Sequence, residues 1–384
     1  MDLISTTPAL ADACTRFAAQ SFVTVDTEFM RETTYYPKLC LIQMAGPDGS
    51  GVLVDPLSPD LDLAPFFALM ADEGVVKVFH SARQDLEIIW LLGGLLPQPF
   101  FDTQVAAMVC GYGDSVSYEQ LVNDVAKAKI DKSSRFTDWS RRPLSDAQLT
   151  YALSDVTHLV KVYEVLAGQL LSTDRGEWLD EEMSVLTSPE TYRADPASAW
   201  RRLSGRMRKP REIAVLIEVA AWREREAQSR NVPRGRILKD EAIDEIATQA
   251  PLDVEGFNRL RSVPKGFGGS RLGLELIEEL KRVMADPEAH APKLDRPAHN
   301  QPAPPSVVEL LKVLLKAKSD NAGVASKLIA TVSDLEKIAL ADDADVDAMK
   351  GWRRQLFGED ALKLKRGEIA LVLNGPRVEV VEIE

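Results

Sequence analysis

Cysteine is scarce: Cys14, Cys40 and Cys110 are the only three in 384 residues. They show no paired spacing, so neither a disulfide framework nor a cysteine-held zinc site is expected. There are four histidines, and none stands at metal-ligand spacing from His80. No stretch approaches eighteen consecutive apolar residues, so no membrane-spanning helix is expected. The segment Met1-Asp-Leu-Ile-Ser-Thr-Thr-Pro8 lacks the basic region of a signal peptide. A cytoplasmic monomer with no membrane partner is the expectation. Cations are in deficit, with 46 Lys and Arg against 59 Asp and Glu and a net charge of −13. A nucleic-acid binder often carries a basic footprint, so overall charge speaks against one. The charge is uneven, however. Residues 200–283 hold 18 Lys or Arg against 13 Asp or Glu, a net of +5, which leaves −18 on the remainder. Binding to nucleic acid would be weak and salt-sensitive.

What is present is a pair of acids in an apolar strand, Phe22-Val-Thr-Val-Asp-Thr-Glu-Phe29. Side chains on a strand alternate faces. Val23, Val25, Thr27 and Phe29 therefore share one face, and Asp26 and Glu28 sit together on the other. Adjacent carboxylates in apolar surroundings repel and lose hydration. A hard divalent cation compensates such a pair, since Mg²⁺ is held by a few carboxylate oxygens. A strand end with both acids facing water fits the same pattern.

Two later segments carry matching features. Val75 to Trp90 reads as a short buried strand, a turn at His80-Ser81 and an amphipathic helix with Asp85 in its first turns. In Leu144 to Tyr163, Ser145 is a helix N-cap and Gln148 completes a capping box. Tyr151 and Asp155 follow at i and i+4, one turn apart on one helical face. A phenol there can hold a water beside a metal. An ordinary amphipathic helix with a half-buried tyrosine and a surface aspartate fits the spacing as well.

Together, D-x-E on a strand, Asp at a helix start and Tyr-x-x-x-Asp on a later helix resemble the DEDD exonucleases of the tyrosine subgroup, and among them the ribonuclease D family. The resemblance extends to Val25-Asp-Thr-Glu-Phe29, Tyr36-Pro-Lys-Leu-Cys-Leu-Ile-Gln43, Phe79-His-Ser-Ala-Arg-Gln-Asp85, Asp138-Trp-Ser-Arg-Arg-Pro-Leu144 and Tyr151-Ala-Leu-Ser-Asp155. It implies an α/β ribonuclease-H-like domain, a mixed sheet with helices on both faces. Phe22–Phe29, Leu39–Ala45 and Gly51–Asp55 would be consecutive antiparallel strands, with Val75–Phe79 beside them. It implies a metal-dependent 3′→5′ exoribonuclease that releases 5′-nucleoside monophosphates. Its partner would be RNA, the 3′ ends of tRNA precursors and other small structured RNAs. The cofactors would be two divalent cations, Mg²⁺ or Mn²⁺.

Phosphodiester hydrolysis needs an activated water and a stabilised leaving oxyanion, and two divalent ions about 4 Å apart supply both. By carry-over from the family, Asp26, Glu28 and Asp155 hold the ion that activates water. Asp26 bridges to the second ion, Asp85 supports that ion, and Tyr151 orients the attacking water. With an unperturbed pKa of about 10, a phenol is a poor free base. A DNA 3′→5′ exonuclease of the same superfamily stays open, because the motifs do not distinguish ribose from deoxyribose. The intact acidic set opposes a non-catalytic RNA-binding adaptor.

Several neighbours suit a substrate pocket. Phe29 alternates into the core, and in the family the residue here also wedges the terminal base. Thr27 can offer its backbone N–H to the terminal sugar. Gln43 is a lone amide in an apolar strand, either a satisfied structural contact or a substrate contact. His80 is structural or supports the pocket. Arg141 and Arg142, with Lys132 and Arg135, lie in a loop-rich stretch and can contact phosphates or simply face solvent.

Prolines divide the chain. Residues 1–190 are expected to form the exonuclease domain. A non-periodic stretch, Thr187–Pro196, leads to residues 200–285, an all-α module. Pro210–Ala227 is strongly amphipathic, with Ile213, Leu216, Ile217 and Ala220 or Ala221 on one stripe. Asn231-Val-Pro-Arg-Gly235 breaks that helix, and Asp240 is the expected N-cap of the next. Arg230-Asn-Val-Pro-Arg234 followed by Leu238-Lys-Asp240 resembles the HRDC domain, a small helical nucleic-acid-binding or positioning module. Residues 286–305 carry six prolines and read as a semi-extended linker. Residues 306–384 are expected to be a second, diverged, all-α HRDC-like domain.

Overall fold

The computed structural model describes residues 3–131, 137–203, 207, 209–291 and 302–383. The chain forms two compact units. The first comprises Met1–Glu28, Cys40–Thr191 and Arg296–Glu384, and the second comprises Phe29–Leu39 and Tyr192–Asp295.

The first unit is built on a six-stranded sheet. Its strands are β1 (Leu3–Ile4), β2 (Phe22–Met30), β3 (Lys38–Ala45), β4 (Gly51–Val54), β5 (Val76–Phe79) and β6 (Phe100–Asp102), in the order β1-β4-β3-β2-β5-β6. β3 and β4 pair antiparallel, whereas β4 with β1, β2 with β5, and β5 with β6 run parallel. The four expected strands are present as neighbours. β1 and β6 are additional, and strands of two and three residues are too short to show a period. Val23 and Val25 on one face of β2 and Thr24 on the other are all fully buried. A strand covered on both faces explains why its first half, Phe22–Val25, carries no charge.

The helix Asp146–Thr173 covers one face. Its N-terminus has the expected capping box, with Ser145 Oγ accepting from Gln148 N at 3.3 Å and Gln148 Oε1 accepting from Ser145 N at 3.0 Å. Its buried stripe is Ala152, Asp155, Val156, Leu159, Val162, Leu166 and Leu170. That three-and-four spacing is how a helix lays one face on a core. Thr24 Oγ1 is 2.9 Å from Val156 O and 3.1 Å from Ala45 O, so one hydroxyl ties helix to sheet. Gly51 on β4 lets the helix come close, because a Cβ there would lie 2.6 Å from Leu153 Cδ1.

The C-terminal segment of this unit corrects the all-α expectation. The helices Pro305–Ala322, Val332–Leu340 and Glu359–Arg366 are followed by a hairpin of β7 (Ile369–Asn374) and β8 (Arg377–Glu382). The two turn residues are Gly375 and Pro376, and glycine at the first central position is a hairpin signal. Gly375, at φ 59°, supplies the positive φ of a two-residue turn. On β8, half-buried Val378 and Val380 alternate with exposed residues, the period of a strand rather than a helix.

This segment shares its core with the exonuclease region. Val308, Leu311, Leu314 and Phe357 cluster with Val109, Leu170 and Met183. The indoles of Trp178 and Trp352 stack at 4.3 Å and 8°. Such pairs contribute about 0.5–1.5 kcal/mol beyond their buried area. Arg353 is buried, donating to Leu328 O at 2.7 Å and pairing with Glu181 and Glu182. Ala325 N donates to Met108 O at 2.9 Å, and Arg175 Nη2 to Ala322 O at 2.6 Å.

The second unit is helical, with Pro210–Arg230, Asp240–Gln249 and Arg271–Ala285 as its longest helices. Ile213, Leu216 and Ala220 are buried on the first, as the periodicity indicates, while Ile217 is half-buried. The helix ends at Asn231, whose φ of 49° is left-handed. Asp240 does not cap its helix. Lys239 takes that position, and the Asp240 carboxylate accepts from buried Arg223 Nη1 at 2.6 Å. The described ends of the proline-rich stretch are partly helical. Asp286 caps the turn Pro287–His290, and Pro305 begins the next helix.

Gly111 tests how closely the C-terminal segment fits. It has φ 85°, and a Cβ there would lie 2.5 Å from Gly323 O, a backbone atom. Gly111→Ala should therefore destabilise the protein by about 2–4 kcal/mol, from left-handed strain plus overpacking. Denaturant unfolding measures it, and wild-type stability would refute the close contact.

Candidate active site

Alternation on β2 decides the first part of the site. Thr24, Asp26 and Glu28 share one face, and the Thr24–Val156 hydrogen bond shows that this face carries the Asp146–Thr173 helix. The helix delivers Asp155, next in sequence to Val156. Carboxylate oxygens of Asp26, Glu28 and Asp155 all lie within 4.8 Å of one another. Oxygens bound to one ion at about 2.0–2.6 Å stand no more than about 5 Å apart. Asp155 is buried, and Asp26 and Glu28 are half-buried.

Asp85 arrives from the other side of β2. The parallel pairing of β2 with β5 runs from Phe22–Val76 to Thr24–Val78, and β5 ends one residue later. The chain then turns through Ser81, at φ 60°, into the helix Arg83–Gly93. Asp85, in the first turn of that helix, accepts from the Thr27 hydroxyl and backbone N–H. The turn is held by Asp102, an acid missed in the sequence. Its carboxylate accepts from Ser81 N at 3.0 Å, Ala82 N at 2.8 Å and Gln104 N at 2.8 Å. The signal was there: Asp102 precedes Thr103 and an apolar helical run, the pattern of an N-cap.

The four carboxylates strain one another electrostatically. Burial, then Asp85, Asp155 and Glu28, push Asp26 well above the usual carboxylate range. Burial raises Asp85 to about 7, against the opposing hydrogen bonds from Thr27. Without a cation, burial and mutual repulsion favour the protonated forms of Asp26 and Asp85. Tyr151 lies one turn before Asp155 and is hydrogen-bonded to it. Burial and the charges of Asp155, Glu28 and Asp26 raise its phenol pKa, so it stays protonated.

Tyr118 is a second member absent from the sequence reading. Its hydroxyl donates to Asp155 O at 2.5 Å and lies 3.2 Å from Ser154 O. Its ring is 5.3 Å from that of His80. His80 Nδ1 is 3.0 Å from Thr103 Oγ1, whose own proton goes to Phe79 O at 3.0 Å. Nδ1 is therefore assigned the hydrogen. Burial lowers the His80 pKa and keeps the ring neutral. His80 thus supports the wall beneath Asp155.

The other sequence candidates separate. Gln43 is fully buried, and its amide nitrogen and oxygen have no hydrogen-bond partner among the described residues. It pairs with Leu53 as Ala45 pairs with Gly51. Gly51 faces Leu153, so Gln43 points to the carboxylate-bearing face of the sheet. Phe29 is half-buried at the end of β2. Arg141 is exposed and pairs with Asp138 at 3.2 Å. Arg142 corrects the expectation of a phosphate contact. All five of its N–H donors are engaged, by Asp55, Cys40 O, Trp139 O and Arg141 O. Lys132 and Arg135 lie outside the described residues.

Asp85 gives a pH test of this geometry. Its raised folded-state pKa means the folded protein holds a proton that the unfolded chain releases between about pH 4 and about pH 7. Stability in chelator should therefore fall as pH rises through that window. Asp85→Asn should flatten the slope, and Mg²⁺ should restore stability at neutral pH. Thermal midpoints across pH measure this, and parallel curves for the two proteins would exclude Asp85 as the source.

Known proteins resemble this chain in sequence and fold. The 3′-5′ exonuclease family matches residues 1–171, and the HRDC domain family matches residues 212–279. Ribonuclease D of Nitrobacter hamburgensis is 55% identical over 382 residues, covering 100% of both chains. Ribonuclease D of Jannaschia is 50% identical over 383 residues, covering 99% of each. The crystal structure of Escherichia coli RNase D, described as an exoribonuclease involved in structured RNA processing, matches with a TM-score of 0.82. It is 27% identical, over 95% of this chain and 98% of that one. Sequence and fold agree, and the chain belongs to the ribonuclease D family of 3′→5′ exoribonucleases.

Proposed function

We propose that this chain shortens RNA from its 3′ end by metal-dependent hydrolysis, releasing 5′-nucleoside monophosphates. Its substrates on this reading are tRNA precursors and other small structured RNAs, and it works as a cytoplasmic monomer. The observation that carries the chemistry is the convergence of Asp26, Glu28 and Asp155 within 4.8 Å. The donors are all carboxylate oxygens, which suits Mg²⁺ or Mn²⁺. Burial raises the carboxyl pKa of Asp26 and of Asp85, with neighbouring acids adding to it, which supports a cation as the partner that lets them ionise. The residues fit the cofactor.

Asp26, Glu28 and Asp155 would hold one ion, and Asp26 with Asp85 the other. Bound, the pair supplies an activated water and charge stabilisation for the leaving oxygen. The protein's own groups do the positioning. Tyr151 keeps its proton, so it acts as a hydrogen-bonding guide for the attacking water rather than as a base. Tyr118 fixes the helical turn that bears Asp155, and Thr27 fixes the Asp85 carboxyl. Gln43 offers on the same face an amide with no partner among the described residues, suited to a water or to substrate. Phe29 is assigned to the terminal nucleotide and Arg141 to its phosphates, whereas the Thr27 N–H is already given to Asp85. The assigned domains are 1–190, the exonuclease, and 200–285, the HRDC domain. Residues 306–384 are assigned as a diverged HRDC-like module that ends in a hairpin, joined through 286–305.

The test is digestion of a 5′-labelled RNA with an unpaired 3′ end, in Mg²⁺, Mn²⁺ or chelator, beside the same sequence as DNA. Metal-dependent shortening from the 3′ end, faster on RNA, is expected. Asp155→Asn should abolish it. Tyr151→Phe should slow it by roughly 10²-fold, the range of one positioned proton-transfer or hydrogen-bonding group. Equal or faster loss of DNA would make the chain a DNA exonuclease, and unchanged rates in Tyr151→Phe would remove the phenol from the mechanism.

A further inference from the structure

The chain enters the helical unit directly after Glu28 and stays in it through Leu39 before returning to the sheet. The residues at the middle of this excursion are held with unusual completeness. Tyr35 is 7% exposed and sits in the core of the helical unit with Trp222, Met207 and Leu238. Its hydroxyl donates to Glu224 Oε1 and accepts from Arg234 Nη2 at 2.9 Å and Gln228 Nε2 at 3.2 Å. The Arg234 guanidinium also lies over the Tyr35 ring, 4.6 Å from its centroid. Asn231 Oδ1 accepts from both Tyr35 N at 3.1 Å and Tyr36 N at 3.0 Å. Glu224 is 2% exposed, and its charge is met by Arg234 through two hydrogen bonds of 2.6 Å and by Arg202 at 3.2 Å.

Asn231 and Arg234 belong to the Arg230-Asn-Val-Pro-Arg234 turn, the motif that marks the helical unit in the sequence. A nucleic-acid-binding role would need their polar atoms directed at phosphates or bases. Instead both are committed to a tyrosine from the β2–β3 connection. We propose that this turn is an internal anchor: by gripping Tyr35 and Tyr36 it fixes the end of the strand that carries Asp26 and Glu28. Asn231 and Arg234 are then positioning residues. They act through the seven-residue step from Glu28 to Tyr35 on the spacing of carboxylates that must meet a cation. Burial makes the anchor stiff. Glu224 and Arg234 are a charge pair with further hydrogen bonds, and loss of one member leaves the other uncompensated.

This inference rests on the metal-dependent reading above, and its test separates the two. Asn231 has a left-handed backbone, so Asn231→Gly removes the acceptor without backbone strain. Asn231→Asp keeps an acceptor and tolerates the same backbone. Tyr35→Phe removes only the hydroxyl. On full-length protein, three quantities are read: kcat and KM on the labelled RNA, Mn²⁺ affinity by electron paramagnetic resonance without RNA, and RNA affinity in chelator. Asn231→Gly and Tyr35→Phe should lower kcat roughly tenfold, as expected when a remote change misplaces reacting groups. Both should weaken Mn²⁺ binding while RNA affinity in chelator stays at wild type. Asn231→Asp should return both values toward wild type. Weakened RNA affinity with unchanged kcat and Mn²⁺ binding would make the turn an RNA contact and overturn the anchor. Wild-type values throughout, or an Asn231→Asp as impaired as Asn231→Gly, would overturn it as well. If wild-type protein fails to degrade RNA, the proposed activity falls, and the Mn²⁺ measurement still decides the anchor.

Discussion

Mutual repulsion among Asp26, Glu28, Asp85 and Asp155 is the constraint around which this protein is built. Four carboxylates brought together out of water favour protonation or separation, and the fold denies them separation. β2 fixes two of them at adjacent same-face positions. Thr24 fastens the helix that brings the third, through Val156 O. Asp102 gathers the backbone N–H groups of the turn before the fourth. Each restraint comes from a neutral or fully satisfied group that adds no charge of its own sign to the centre, with the exception of Asp102, whose influence raises Asp85 further. The cluster is therefore a site of stored repulsion that a cation releases, and stability elsewhere in the core holds it in place.

The parts of this site legible in sequence were those written within one element. D-x-E on a strand, Asp85 at a helix start and Tyr151 one turn from Asp155 are local spacings, and local spacing fixes which side chains share a face. Ser145 with Gln148 was legible for the same reason. Tyr118 was not, because its partner carbonyl lies 37 positions away and an isolated tyrosine carries no pattern. Arg142 read as a loop cation because its acceptors, Asp55 and Cys40 O, are 87 and 102 positions distant. β1 and β6 are defined by their neighbours in the sheet rather than by their own residues. The terminal hairpin was legible in its Gly375-Pro376 turn but was absorbed into a helical expectation carried over from the family.

Charge counting shows a similar gap between composition and placement. The excess of cations in residues 200–283 suggests a surface for phosphates. Several of those cations face inward or pair locally. Arg202 and Arg234 compensate Glu224, Arg223 joins Asp240, Arg225 joins Glu218, and Arg230 joins Glu226. Exposed pairs of this kind contribute little to stability, but they remove field that a count of residues would assign to RNA. The net of +5 already includes these acids, so the pairs settle where the surplus charge sits rather than how large it is.

The excursion of Phe29–Leu39 into the helical unit has a consequence for how the chain is made. Tyr35 and Glu224 are 189 positions apart. At a synthesis rate of roughly 5–20 residues per second, Tyr35 waits roughly 10–40 s for its partner to be made. During that time an aromatic destined for a core has no core to enter. The corner beside Glu28 closes only after the middle of the chain has been synthesised, so the N-terminal half cannot mature as a finished nuclease ahead of the rest. A gene fusion or truncation that separates the two segments would leave a folded sheet with its catalytic strand unanchored.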